Sequence, residues 1–157
     1  GTVSLSSIMN EGKRSPDIIM SFNWDSSDNV NGYPGHVFST GGAKNLGQHG
    51  SMSLHEMNNT LICAGPTFLE NEKILSPSGN IDILPTILTI LGQGIPDYVE
   101  GRILEESFRE TNSEVISVTQ KYDASLTTNQ VTYFQEITVS FVGDSKYIDE
   151  GNSWLEK

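Results

Sequence analysis

Positive charge is scarce in this chain: 9 Lys and Arg stand against 20 Asp and Glu over 157 residues, for a formal net charge of −11. The basic residues never cluster. A nucleic-acid surface needs a basic footprint to replace phosphate counterions, so the composition excludes nucleic-acid binding through surface charge. Cysteine is nearly absent as well. The single Cys63 rules out a disulfide framework within the chain, and its place in an apolar run reads as a small buried thiol. No apolar stretch approaches the roughly 20 residues that cross a bilayer, so no membrane segment is expected. No signal-peptide pattern is present. No repeats or low-complexity tracts are found.

What the chain does have is enough length for one domain with a sizeable core. Residues 1–16 are polar and Ser-rich and read as an entry segment, with a short helix around residues 7–11. Residues 17–22 (Asp17-Ile18-Ile19-Met20-Ser21-Phe22) are an apolar run bounded by proline and a polar cluster, which predicts a buried strand. Residues 23–35 carry Asp, Ser, Asn, Gly and Pro at turn-forming density and predict a loop, pinned to the body by Trp24 and Tyr33. Residues 41–50 hold four glycines, a backbone suited to tight turns or close approach to a ligand. Residues 60–64 (Thr60-Leu61-Ile62-Cys63-Ala64) predict a second buried strand, continuously apolar as parallel-sheet strands are.

A helix is predicted over 82–91, with Asp82 as its N-cap and Pro85 in the first turn, where a missing N–H is no loss. Ile83, Ile87, Leu88 and Leu91 recur at helical spacing and predict a face packed on the sheet. Gly92 stops it. After Phe108 the texture changes. Val131, Tyr133, Ile137, Val139 and Phe141 alternate along one run, and Thr127-Thr128-Asn129 supplies a turn before it. A β-hairpin or meander is expected from about 113 to 148. Buried strand, loop and amphipathic helix in succession are α/β in character.

Four short motifs follow one another in residues 47–104: Gly47-Gln48-His49-Gly50, then Ala64-Gly65-Pro66, then Gly79-Asn80-Ile81-Asp82 running on to Pro85-Thr86, then Gly101-Arg102-Ile103-Leu104. In this order they resemble the C-terminal part of the alkaline phosphatase superfamily, and most nearly the type I phosphodiesterase/nucleotide pyrophosphatase family. Ser15-Pro16-Asp17-Ile18, Trp24, Asn29, Gly32 and Pro34-Gly35 extend the likeness upstream, so that it covers about residues 14–108.

The resemblance implies an α/β fold, the C-terminal part of an alkaline-phosphatase-like α/β/α sandwich in residues 1–110, with residues 111–157 a β-rich C-terminal extension. It implies a zinc-dependent hydrolase of phosphoric esters, with two zinc ions (Zn) in the intact enzyme and a Ser or Thr nucleophile. In the family that nucleophile and most metal ligands lie upstream of the region matched here. Only the last histidine ligand falls in this chain, as His49. The chain is thus expected to be a fragment inactive alone, its partners being the missing N-terminal catalytic region of the same protein and a small phosphoester or nucleotide substrate. Export is compatible with the family.

Of the three histidines only His49 has a setting that suits a ligand, and it is the surrounding motif that turns the reading from a histidine in a glycine turn with no ligand to a metal ligand. A neutral imidazole between small neighbours lets a metal approach. One histidine cannot hold zinc, since a catalytic site takes about three protein ligands. His55 reads as a hydrogen-bonding surface residue and Asp25 and Asp28 as solvated turn formers. His36 follows Pro34-Gly35, with no spacing that demands a ligand. The alternative to the enzyme reading is a non-catalytic structural or partner-binding domain. Phosphatase, sulfatase or phosphomutase chemistry on the same superfamily fold is a further option, because fold does not fix reaction.

Overall fold

The computed structural model describes residues 1–8, 12–39, 49–111 and 113–157. Within them the chain combines short helices with two separate sheets, a mixed α/β content. The first sheet lies where a loop is expected. Strand β1 (Trp24–Asp28) pairs antiparallel with β2 (Pro34–Val37), Trp24 opposite Val37 and Asp25 opposite His36. Turn chemistry explains the difference. The Asn29 side-chain oxygen accepts the N–H groups of Asn31 at 2.9 Å and Tyr33 at 3.2 Å, and Gly32 takes φ +78°. Residues that read as an open loop therefore close a hairpin. Trp24 is buried and donates its indole N–H to the Gly151 carbonyl at 2.8 Å, whereas Tyr33 is exposed and pins nothing.

Both runs expected to be buried strands differ from that expectation. Residues 17–22 and 60–64 form no strand, and they lie largely exposed, Met20 at 90% and Ile62 at 84%. Cys63 is exposed with its run instead of buried. A continuously apolar segment becomes a strand only where neighbours cover both its edges and both its faces. None of the described residues does so for these two. The short helix expected around residues 7–11 is a 3₁₀ turn at Leu5–Ile8, and residues 9–11 lie outside the described residues. So do residues 41–48 of the glycine-rich segment.

Helix α1 (Leu54–Met57) is one turn, and α2 (Ile83–Ile90) follows a 3₁₀ turn at Asn80–Asp82, close to the predicted span. Gly92 ends α2 in the left-handed region at φ +63°, with the Gln93 N–H returning to the Leu88 carbonyl at 2.9 Å. The buried side is not the expected one. Pro85 and Thr86 are buried, Leu88 is half-buried, and Ile83, Ile87 and Leu91 face outward. Spacing identifies an apolar stripe, but only a packing partner buries it, and the described residues place none over this one.

Strands β3 (Val118–Thr128), β4 (Val131–Val142) and β5 (Ser145–Glu156) form a meander in that order. Each connection leaves two residues, Asn129-Gln130 and Gly143-Asp144, so neighbouring strands run antiparallel. The first loop residue has positive φ in both, +53° at Asn129 and +56° at Gly143, as primed hairpin turns require.

The chain divides into two compact units. One comprises Gly1–Asn59, Gln120–Val139 and Ile148–Lys157, with Trp24 and Val139 at its core. The other comprises Thr60–Thr119 and Ser140–Tyr147, with Leu104, Phe108 and Tyr147 buried.

Candidate functional site

His49 is exposed at the start of a described segment. Gly50 beside it takes φ +93°, a conformation open to glycine, and an added Cβ there would meet only open space. The backbone beyond is fastened at every residue. The Ser51 N–H donates to the Glu56 carboxylate at 2.8 Å, and the Ser53 N–H to the Ser51 hydroxyl at 3.1 Å. Met52 donates its N–H to the Ser21 hydroxyl at 2.9 Å and accepts from the Gly151 N–H at 2.8 Å. Ser53 caps α1, its fully buried hydroxyl accepting the His55 N–H at 3.2 Å. An exposed imidazole is thus carried at the edge of a tied turn.

The other histidines stand apart in role. The His55 ring meets Trp24 edge-on at 5.8 Å and places Nε2 3.3 Å from the Ser26 hydroxyl. Its Cβ would lie 2.9 Å from a Cβ at position 35, so Gly35, at φ +101°, makes room for it. His36 packs on Phe38 at 4.7 Å between centroids. The Asp25 carboxyl is held below its ordinary value by the Ser27 hydroxyl and N–H, with His36 a smaller influence.

In the other unit the Gly-Asn-x-Asp and Gly-Arg motifs meet at Asp82. This carboxylate is fully buried and accepts the Gly79 N–H at 2.8 Å and the Arg102 N–H at 2.9 Å. Asp82 occupies the expected N-cap position of α2, but its side chain makes no capping bond to that helix and turns back to Gly79 instead. Glycine is required at 101 because a Cβ would fall 2.0 Å from the Ile81 carbonyl oxygen. The Arg102 guanidinium grips Glu106 through two bonds at 2.7 and 2.9 Å, donates to the Pro77 carbonyl at 2.8 Å and to the Tyr147 hydroxyl at 3.0 Å. Burial, the largest single influence, would lower its pKa, but Glu106 and Tyr147 together outweigh it and raise it above the ordinary value. Burial pushes the Tyr147 phenol up, and a hydrogen bond to Asp82 adds to the shift. Every polar group in this cluster is spoken for within the unit, which marks it as a structural joint.

A cavity of about 300 Å³ in the first unit is lined by Ile18, Phe22, Met52, Gln135, Glu136 and Ile137 among others. Part of its polar lining is already engaged: Gln135 with the Val3 N–H and the Tyr133 hydroxyl, Glu136 with Lys121.

As to metal, His49 fits the part of one zinc ligand: an accessible imidazole beside a glycine that leaves room for an ion. Among the described residues no group of three or more His, Cys, Asp or Glu side chains is placed to complete a site. No helix among them is long and apolar enough to cross a membrane. Sequence reasoning missed Glu56 and Tyr147. Glu56 is separated from Ser51 by a cap whose serines alone hinted at it, and Tyr147 lies 45 residues from Arg102, beyond any local signal.

Comparison of the chain with protein-family models, with curated proteins and with solved structures finds no match.

Proposed function

We propose that this chain is the C-terminal part of a zinc-dependent phosphodiesterase or nucleotide pyrophosphatase of the alkaline phosphatase superfamily, to which it contributes His49 as a metal ligand. The observation that carries the reading is the ordered run of four motifs from Gly47 to Leu104. Two features of the folded chain support it. His49 is accessible beside a left-handed glycine, and the third and fourth motifs act as one piece, joined by the Asp82 carboxylate.

The chain's own residues divide the work by unit. In the first, His49 offers a neutral imidazole nitrogen while Gly50 keeps the approach free of side chain. In the second, Asp82, Gly101 and Arg102 fix the loop and helix that follow. Paired zinc ions, when bound, activate the nucleophile and stabilise the leaving oxygen of a phosphoric ester. The nucleophile and the remaining ligands belong, on this reading, to the upstream region of the same protein, which is also the origin of substrate selectivity.

The test is hydrolysis of a chromogenic phosphodiester by the full-length parent and by its His49→Ala variant with zinc in excess. The parent is expected to turn over. The variant is expected to lose more than about 10–100-fold, the range that even indirect perturbation of a metal ligand produces. Unimpaired turnover by the variant would make the glycine-flanked turn structural and remove the reading's residue-level support.

A further inference from the structure

The turn that carries His49 is anchored by a residue no motif points to. We propose that Glu56 is a positioning residue for His49, acting through the Ser51 N–H; this rests on the reading of His49 as a metal ligand. The carboxylate lies on α1, five residues ahead, and folds back to accept the Ser51 N–H at 2.8 Å. That bond fixes the peptide immediately after Gly50, the one residue between Ser51 and His49 and the least constrained in the turn. A charged acceptor makes it stronger than an ordinary peptide bond of this kind.

Glu56 is itself held in place. Its N–H donates to the Ser53 carbonyl at 2.9 Å, and its carbonyl accepts the Asn59 side-chain amide at 3.0 Å. Ser51 is buried, so water does not readily replace the carboxylate once it is removed. The other ties of this segment act on Met52 and Ser53, farther from the histidine. Glu56 therefore holds the last fastened peptide before His49. Ligand geometry matters to within fractions of an ångström, so release of this peptide should loosen the metal more than it loosens the fold.

Two measurements test it. In residues 1–157 alone, backbone ¹⁵N relaxation is read at Gly50 and Ser51. Glu56→Ala is expected to lower their order parameters toward those of flexible backbone, and Glu56→Gln, which keeps an acceptor oxygen, to restore most of the order. Unchanged order in Glu56→Ala overturns the proposal whatever the function of His49. In the full-length parent, zinc affinity is measured by chelator competition. Glu56→Ala is expected to weaken one zinc about 10–100-fold, the range found for outer-shell partners of metal ligands, with Tm lowered by only a few degrees, as one stranded buried donor entails, and Glu56→Gln close to the parent. Weaker zinc in His49→Ala but not in Glu56→Ala sinks the positioning role and leaves the metal reading standing. Unchanged zinc in His49→Ala sinks the metal reading itself.

Discussion

At Asp82 two backbone donors, the Gly79 and Arg102 N–H groups, converge on one buried carboxylate. Asp82→Ala strands those donors, and bonds to charged groups are worth about 1.5–3 kcal/mol each, so a loss of about 3 kcal/mol in unfolding free energy is expected. Urea denaturation reads it, and a midpoint equal to the parent's would remove Asp82 from the list of structural anchors. Tyr147 adds a pH signature. Its folded-state pKa is raised, by burial first and by Asp82 second, so the folded chain keeps the phenolic proton longer than the unfolded chain does. Stability is then unaffected below the unfolded value of about 10 and falls as pH rises past it toward the folded value. Denaturant midpoints measured from pH 8 to 11 should fall at the alkaline end in the parent and fall less in Tyr147→Phe. Equal slopes would contradict the assignment.

At the scale of elements, the fourth motif closes on the 3₁₀ turn ahead of α2 by contact of backbone with backbone. A Cβ at position 101 would lie 2.0 Å from the Ile81 carbonyl oxygen. Gly101→Ala should therefore destabilise by about 3 kcal/mol, the upper end of ordinary overpacking costs. The Thr86 hydroxyl, which accepts the Leu104 N–H at 3.1 Å, ties the same segment to α2. Helix α2 itself was legible in the sequence: capping-type residues, a first-turn proline, a stop glycine and a 3.6-residue period all agree. Its orientation was not, because periodicity names a stripe without naming what covers it. Ile87 is 47% exposed in this chain. Ile87→Asn should shift stability by no more than about 0.5 kcal/mol, as surface changes do; a shift above about 2 kcal/mol would mean the stripe is packed. The hairpin of β1 and β2 was missed for the opposite reason. Its turn residues were recognised, but strands rich in Asp, Ser and His lack the apolar alternation that announces a sheet.

For the whole molecule, the same logic separates what composition can and cannot show. Alternation from Val131 to Phe141 marked the meander because each strand finds its partner two residues away, and local chemistry sets the register. Residues 17–22 and 60–64 carry the apolar signature of interior strands, yet they pair with none of the described residues, since that signature reports an environment the chain has to be given. His49 stood out in the sequence through its glycines and its motif, and the folded chain leaves it exposed. Glu56 did not stand out, because the bond that matters joins a side chain to a backbone N–H five positions back, and no residue pattern encodes it. The account as a whole stands on His49 being a metal ligand. Zinc content, measured by atomic emission on the full-length parent and on His49→Ala after dialysis against chelator-free buffer, tests that directly. The account predicts about two zinc ions per chain in the parent, as paired-metal hydrolysis requires, and a clear loss toward one in the variant. Equal zinc content in the two proteins would contradict it.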